Sequence, residues 1–206
     1  MKLEDIAALL EPFVRLDQKR LAATSAYLDL LLKWNAKMNL TAVRHPEEIV
    51  TRHFGESFFA ARRLLPEGSA CSVVDLGSGA GFPGMPMAIF APSARVALIE
   101  ANARKAAFLN EAARTLDLKN VAVHGKRAEE YGDAADLVVM RAVEKFENSL
   151  PMAARLVKAN GRLGIMIGAS QVDRARELTP GRQWLHPAPV PGGNARVLLI
   201  STDQAA

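Results

Sequence analysis

Ser72-Val-Val-Asp-Leu-Gly-Ser-Gly-Ala-Gly-Phe-Pro-Gly84 reads as a short apolar strand with a carboxylate near its end, running into a turn of closely spaced glycines. Gly77, Gly79 and Gly81 carry no Cβ, so the backbone can turn sharply there and a ligand can lie against the main chain. A nucleotide-like cofactor is the natural occupant. The segment Gly79-Ala-Gly-Phe-Pro-Gly84 also satisfies the dinucleotide pattern G-x-G-x-x-G, with Glu100 at about the expected distance beyond it. In a dinucleotide site the amides of a helix N-terminus hold a pyrophosphate. Here Asp75 stands just before the glycines, where it would repel a pyrophosphate and suit a sulfonium or ammonium group, and Pro83 and Pro86 remove amide donors. S-adenosylmethionine fits this chemistry better than NAD. A nicotinamide enzyme and a tight turn without a ligand are the alternatives.

Outward from that stretch, the pattern differs on the two sides. Before it, apolar residues recur at helical spacing: Ile6, Leu9, Leu10 and Phe13 share one face, and a run from Asp17 to Met38 sets Leu21, Leu28, Leu31, Leu32 and Trp34 in a stripe. A third helix is expected near Pro46, whose fixed φ suits a first turn, with Glu47 and Glu48 complementing the dipole. From Ser72 onward, short β-branched and apolar runs alternate with helical ones, the signature of βαβ units around a parallel sheet. Strands are expected near 72–76, 95–100, 120–124, 136–141, 162–167 and 196–201, with a weaker one near 183–186. Helices are expected near 84–91, 102–117, 145–159 and 170–178, with Asn160-Gly161 as a helix stop. The prolines and glycines between 180 and 193 leave no room for a helix and imply a closing hairpin. The fold class is therefore α/β, a seven-stranded Rossmann-like sheet of the S-adenosylmethionine-dependent methyltransferase kind with an N-terminal helical cap. The linker Leu65-Pro-Glu-Gly-Ser divides a cap, 1–66, from a cofactor-binding domain, 67–206.

Composition narrows the setting. The 206 residues are half apolar, an ordinary globular balance long enough for a full-sized core. The N-terminus Met-Lys-Leu-Glu-Asp lacks the basic start and apolar run of a signal peptide, and the most apolar later stretch, 85–91, is too short to span a membrane, so a cytoplasmic protein is expected. The single cysteine, Cys71, excludes an internal disulfide and reads as a buried, inert thiol. A net charge of +4 permits an anionic partner. Lys and Arg number 10 against 8 acids through Pro66 and 16 against 14 after it, so neither part is a basic tail, and any nucleic-acid surface must be assembled by folding. The pairs Lys19-Arg20, Arg62-Arg63, Arg104-Lys105 and Lys126-Arg127 are available for one.

Ligands in open α/β sheets bind beyond the carboxyl ends of the strands. Glu100 closes the second strand, where a carboxylate can accept hydrogen bonds from vicinal ribose hydroxyls. After the third strand, backbone near Ala128 and the side chain of Glu129 are candidates to meet an adenine edge, although an acidic pair at a helix start is also ordinary dipole complementation. Arg141 ends the fourth strand, and its guanidinium suits a cofactor carboxylate or a phosphate, with a strand-end salt bridge as the alternative. That strand end lacks the Asn/Asp-Pro-Pro-aromatic turn of adenine-amine methylation, and Cys71 lies at the wrong end of its strand to attack a cytosine ring. A target with a lone pair already available, such as guanine N7, needs only alignment and exclusion of water. His45, His53, His124 and His186 show no metal-ligand spacing, so no metal is expected.

The glycine segment with its Phe-Pro-Gly ending, together with Trp34-Asn35-Ala-Lys-Met-Asn39-Leu-Thr41, Arg52-His53 and Arg141-Ala142, resembles the bacterial small-subunit ribosomal RNA guanine-N7 methyltransferase family, also called glucose-inhibited division protein B. The resemblance spans about 30 to 200. It implies methyl transfer from S-adenosylmethionine to N7 of a guanine, guanine 527 in the 530 loop, of 16S ribosomal RNA or the small ribosomal subunit. Carried over by motif position, Gly77, Phe82, Ala128, Glu129 and Arg141 are expected cofactor contacts, joined by Gly79 and Glu100 from the reading above. Asn39, Arg52 and His53 are the candidates for the substrate side. One departure stands out: family members tend to end the fifth strand with Lys-Gly, whereas this chain has Ile167-Gly168, so a cationic contact to RNA or cofactor is either absent or supplied by Lys126 or Arg127. A small-molecule methyltransferase, an NAD-dependent reductase using the overlapping glycine pattern, and a non-enzymatic RNA-binding module are the competing functions.

Overall fold

The computed structural model describes residues 1–66, 68–142, 145–193 and 195–203. Glu67 in the expected linker and residues 204–206 at the end of the expected second domain lie outside them. Helix α1 (Leu3–Leu10) buries Ile6 and Leu10. Helix α2 (Gln18–Asn35) starts where the Asp17 side chain accepts the Arg20 amide, and it ends three residues before Met38. The Asn35 carboxamide ends it by accepting the amides of Leu40 and Thr41, both at 2.9 Å, which folds the following loop back.

Pro46 opens the third helix as expected, but that helix does not run regularly. It comprises α3 (Pro46–Ile49), a π turn over Val50–Gly55 and α4 (Glu56–Leu64). Gly55 is needed at the junction because a Cβ there would lie 2.7 Å from the ring of Phe13. The Thr51 hydroxyl bonds back to the carbonyls of Glu47 and Glu48 in the same region.

Strands β1 (Ser72–Leu76), β2 (Arg95–Ile99), β3 (Val121–His124), β4 (Ala135–Arg141) and β5 (Val157–Gly168) are parallel neighbours. Between them run α5 (Gly84–Phe90), α6 (Ala103–Thr115) and α7 (Phe146–Arg155). After α8 (Val172–Leu178) come β6 (Arg182–Trp184), β7 (Ala188–Pro189) and β8 (Arg196–Asp203), all antiparallel additions centred on β8. The sheet order is β3-β2-β1-β4-β5-β8-β6, the Rossmann-like arrangement expected. The two-residue β7 on β8 makes eight strands rather than seven.

One boundary differs for a visible reason. Asn160-Gly161 is not the stop of a helix reaching 159; α7 ends at Arg155, and Asn160, at φ 62°, lies in a bulge within β5. Pairing passes from Ala135↔Val157 to Leu137↔Arg162 across that bulge, so the strand expected at 162 is where the ladder resumes.

Apolar side chains fill both faces of the sheet. Tyr27, Leu28, Leu31, Phe54 and Phe58 of the N-terminal helices share one cluster with Met85, Leu98 and Phe108, while Leu150 and Ala175 cover the other face. Residues 1–66 thus pack directly on the sheet-side helices and have no separate core. Cys71, expected to be buried, is half-buried beside β1, and burial raises its thiol pKa. Among the described residues, no helix is long and apolar enough to cross a membrane.

Candidate active site

A cavity of about 630 Å³ opens beyond the carboxyl ends of β1, β2 and β4. Its floor is the glycine turn. The amides of Gly77 and Ser78 donate to the Ile99 carbonyl, so the turn is bonded to the tip of the neighbouring strand. Gly79 has φ 57°, the left-handed region that side chains resist, and its amide donates to Glu100 Oε2 at 2.8 Å. From the other side, the Tyr27 hydroxyl of α2 donates to the Ala80 carbonyl at 2.6 Å. Gly81 is equally constrained, since a Cβ there would meet the Tyr27 hydroxyl and would lie 2.7 Å from Met85.

Glu100 accepts from Gly79 through one carboxylate oxygen and from the Asn102 amide through the other, both at 2.8 Å. Each oxygen keeps a lone pair, and the residue lines the cavity, so a fixed carboxylate faces the ligand space. Ala128 and Glu129 line it from a 3₁₀ turn, Ala128–Glu130. Lys105, Lys126, Arg127 and Lys145 also border it.

Asp75 corrects an expectation. Its side chain is fully buried and absent from the cavity lining, and Oδ2 accepts the Gly84 amide at 2.9 Å while Oδ1 has no partner. Strand alternation turns it towards α5, away from the cavity. Burial pushes its pKa up to about 7 against the opposing Gly84 hydrogen bond. The case against a pyrophosphate therefore changes its basis: the first amide of α5 already serves Asp75, and Pro83 and Pro86 offer none.

The opposite wall comes from the N-terminal helices and the end of β4. Phe82 stacks on Tyr27 with centroids 5.7 Å apart and meets the His53 ring at 5.0 Å. His53 sits in the π turn, a kind of helix defect that recurs at functional sites. Its Nδ1 is 3.0 Å from an Arg141 nitrogen and its Nε2 is 2.7 Å from the Thr41 hydroxyl. Burial first, then the Arg141 and Arg52 charges, lower its pKa to about 3. The largely buried Arg141 side chain, 11% exposed, also lies 3.4 Å from Glu56, and Arg196 binds the other Glu56 oxygen at 2.6 Å. Burial raises the Glu56 pKa while these two guanidinium groups oppose it. Arg141 therefore lines the cavity and makes a strand-end salt bridge, joining the two readings of its role.

Gly77, Gly79, Phe82, Glu100, Ala128, Glu129 and Arg141 all meet on this cavity, and His53 joins them. Asn39 and Arg52 do not line it. Asn39 is exposed and accepts from Arg44, and Arg52 is paired with Glu48 one turn away. Ile167 is buried, but Arg196 stands opposite Gly168 in the β5–β8 register, so a cation reaches that strand end from the neighbouring strand. Thr41, Glu56 and Arg196 were not singled out from the sequence as site residues. Thr41 lies within the quoted Trp-Asn…Asn-Leu-Thr segment, whereas Glu56 and Arg196 carry no local signal.

The sequence pattern of rRNA small subunit methyltransferase G matches residues 20–185. A ribosomal RNA small subunit methyltransferase G of Xylella fastidiosa is 39% identical over 184 residues, covering 86% of this chain and 84% of that protein. The protein of that name from a Roseiflexus species is 38% identical over 201 residues, covering 91% and 85%. Among solved structures, a ribosomal protein L11 methylase from Lactobacillus delbrueckii subsp. bulgaricus superposes with a TM-score of 0.64 over 75% of this chain and 80% of that one; at 13% identity the likeness is one of fold. The glycine floor, the fixed strand-tip carboxylate and extensive identity to these relatives converge, and the chain belongs to the rRNA small subunit methyltransferase G family.

Proposed function

We propose that this cavity holds S-adenosylmethionine and that the enzyme methylates N7 of a guanine, guanine 527 in the 530 loop, of 16S ribosomal RNA. When bound, the cofactor supplies an electrophilic methyl group on a sulfonium. The bare Gly77–Gly79 backbone lies along it, Glu100 accepts from its ribose, and Ala128 and Glu129 meet its adenine. Arg141 faces its carboxylate.

The observation that carries the choice of a ring nitrogen is the state of His53. Arg141 has only donors to offer, so Nδ1 of His53 must accept from it, and the imidazole has no free lone pair to act as a base. Glu100, the carboxylate at the strand tip, is fixed by two amides and turns its remaining lone pairs to the ribose. A nucleophile that carries no proton, as N7 of guanine does, suits a site built this way. Residues 1–66 contribute the substrate-side wall through Leu40, Thr41 and His53, and Asn39 and Arg52 are RNA contacts outside the cavity.

The test is transfer of label from S-adenosylmethionine to ribosomal RNA of cells lacking the activity, with the modified base mapped by mass. Label on guanine N7 of the small-subunit RNA is expected. Label on another atom, or on RNase-resistant small molecules, overturns the reading.

A further inference from the structure

We propose that Thr41 is a specificity-determining residue whose hydroxyl donates to the exocyclic carbonyl O6 of the target guanine. The assignment rests on the guanine-N7 reading above and adds to it the group that tells guanine from adenine.

A chain of partners from Glu56 to Thr41 fixes where each proton sits. Glu56 is a carboxylate held between Arg141 and Arg196. Arg141 carries hydrogen-bond donors only, so His53 Nδ1, 3.0 Å away, accepts. The ring proton of a neutral His53 is then on Nε2, and the contact with Thr41 Oγ1 at 2.7 Å runs from histidine to threonine. The depressed His53 pKa agrees with a neutral ring. Thr41 Oγ1 also accepts the Val43 amide at 3.1 Å. A hydroxyl has two lone pairs, and both are now used. Its own proton meets no acceptor among the described residues, and Thr41 lines the cavity on the same wall as His53 and Arg141.

A threonine hydroxyl can ordinarily donate or accept, which makes it a poor discriminator. Here its accepting capacity is spent, so it presents a donor alone. The guanine edge next to N7 carries the O6 acceptor, which leaves N7 free for methylation, whereas adenine presents an amine donor at that place. An adenine would set one donor against another with no relief, and a site that hydrogen-bonds a required group rejects analogues lacking it.

The experiment compares kcat/KM on small-subunit RNA carrying guanine, 2-aminopurine or adenine at the target position. 2-Aminopurine keeps N7 and the amine at C2 but lacks O6. The wild-type enzyme is expected to prefer guanine over 2-aminopurine by about tenfold or more, the scale of one lost hydrogen bond. Thr41→Val is expected to lose about that factor on guanine and little on 2-aminopurine, collapsing the ratio, while Thr41→Ser restores it. Affinity for S-adenosylhomocysteine should stay within about twofold of wild type, since no cofactor contact is lost. An unchanged ratio in Thr41→Val overturns the assignment, as does weakened S-adenosylhomocysteine binding with the ratio intact, which would place the acceptor on the cofactor. The wild-type ratio needs no variant, and a value near one also overturns it. A wild-type product elsewhere than guanine N7 removes the functional reading and this assignment together, whereas the correct product with an unchanged ratio removes only the assignment.

Discussion

The two walls of the cavity are held by different kinds of bond. The strand-tip wall is built on main-chain groups of one short turn: the amides of Gly77 and Ser78 donate to the Ile99 carbonyl, the Gly79 amide to Glu100, and the Ala80 carbonyl accepts from Tyr27. The helical wall is built by side chains: Thr41, His53, Arg141, Glu56 and Arg196 touch in sequence through contacts that join residues as distant along the chain as Glu56 and Arg196. Added volume is what the first wall cannot take at Gly81, and a missing partner is what the second cannot take at Glu56.

The largest effect should come from breaking the second wall at its centre. Glu56→Ala leaves two guanidinium groups facing each other in a mostly buried place, and removing one partner of such a pair costs about 3–5 kcal/mol. Urea denaturation should show that loss; a change under about 1 kcal/mol would mean the network holds little together. Next, Glu100→Ala should weaken S-adenosylhomocysteine binding by about 1.5–3 kcal/mol by calorimetry, while retention of full affinity would put the ribose elsewhere.

A pH series sharpens the contrast, because His53 in the helical wall and Asp75 buried behind the glycine turn respond in opposite directions. His53 has a pKa of about 3 against an ordinary 6.5, so its stabilising contribution is present above 6.5 and is lost as pH falls towards 3. Asp75 has a pKa of about 7 against an ordinary 3.8, so its contribution is full below 3.8 and is lost as pH rises through 7. Between pH 5 and 7 each amounts to about 2 kcal/mol, and they nearly cancel. His53→Gln should therefore lose stability on going from pH 5 to 7, and Asp75→Asn should gain it. Parallel behaviour of the two variants would refute the opposed linkage. The smallest effect is expected from Arg52→Ala, whose partly exposed pair with Glu48 is worth about 0.5 kcal/mol and which should leave S-adenosylhomocysteine binding unchanged.

The same division explains what the amino-acid sequence made legible. The alternation of strands and helices, the glycine turn and the position of Glu100 are written in contiguous residues, and a structure of main-chain bonds follows from contiguous residues. The helical wall was only half legible: Arg141 and His53 were visible within motifs, but the Glu56 to Arg196 contact joins a helix to the last strand and leaves no local trace. Asp75 is legible as a strand-end carboxylate but its orientation is not, because the pull of the Gly84 amide cannot be read without the turn that brings it near. Asn160-Gly161 resembles a helix stop, and the bulge it makes instead depends on its pairing with β4.

The π turn has a further consequence for the evolution of this wall. Each residue advances an α-helix by about 100°, so deleting one position within Val50–Gly55 would restore regular winding while rotating Arg52 and His53 by that angle relative to Glu56. His53 would then leave Arg141 and Thr41 without a single side chain having been altered. Insertions and deletions in this segment are therefore expected to be far more damaging than substitutions, and relatives that keep the activity should keep its length.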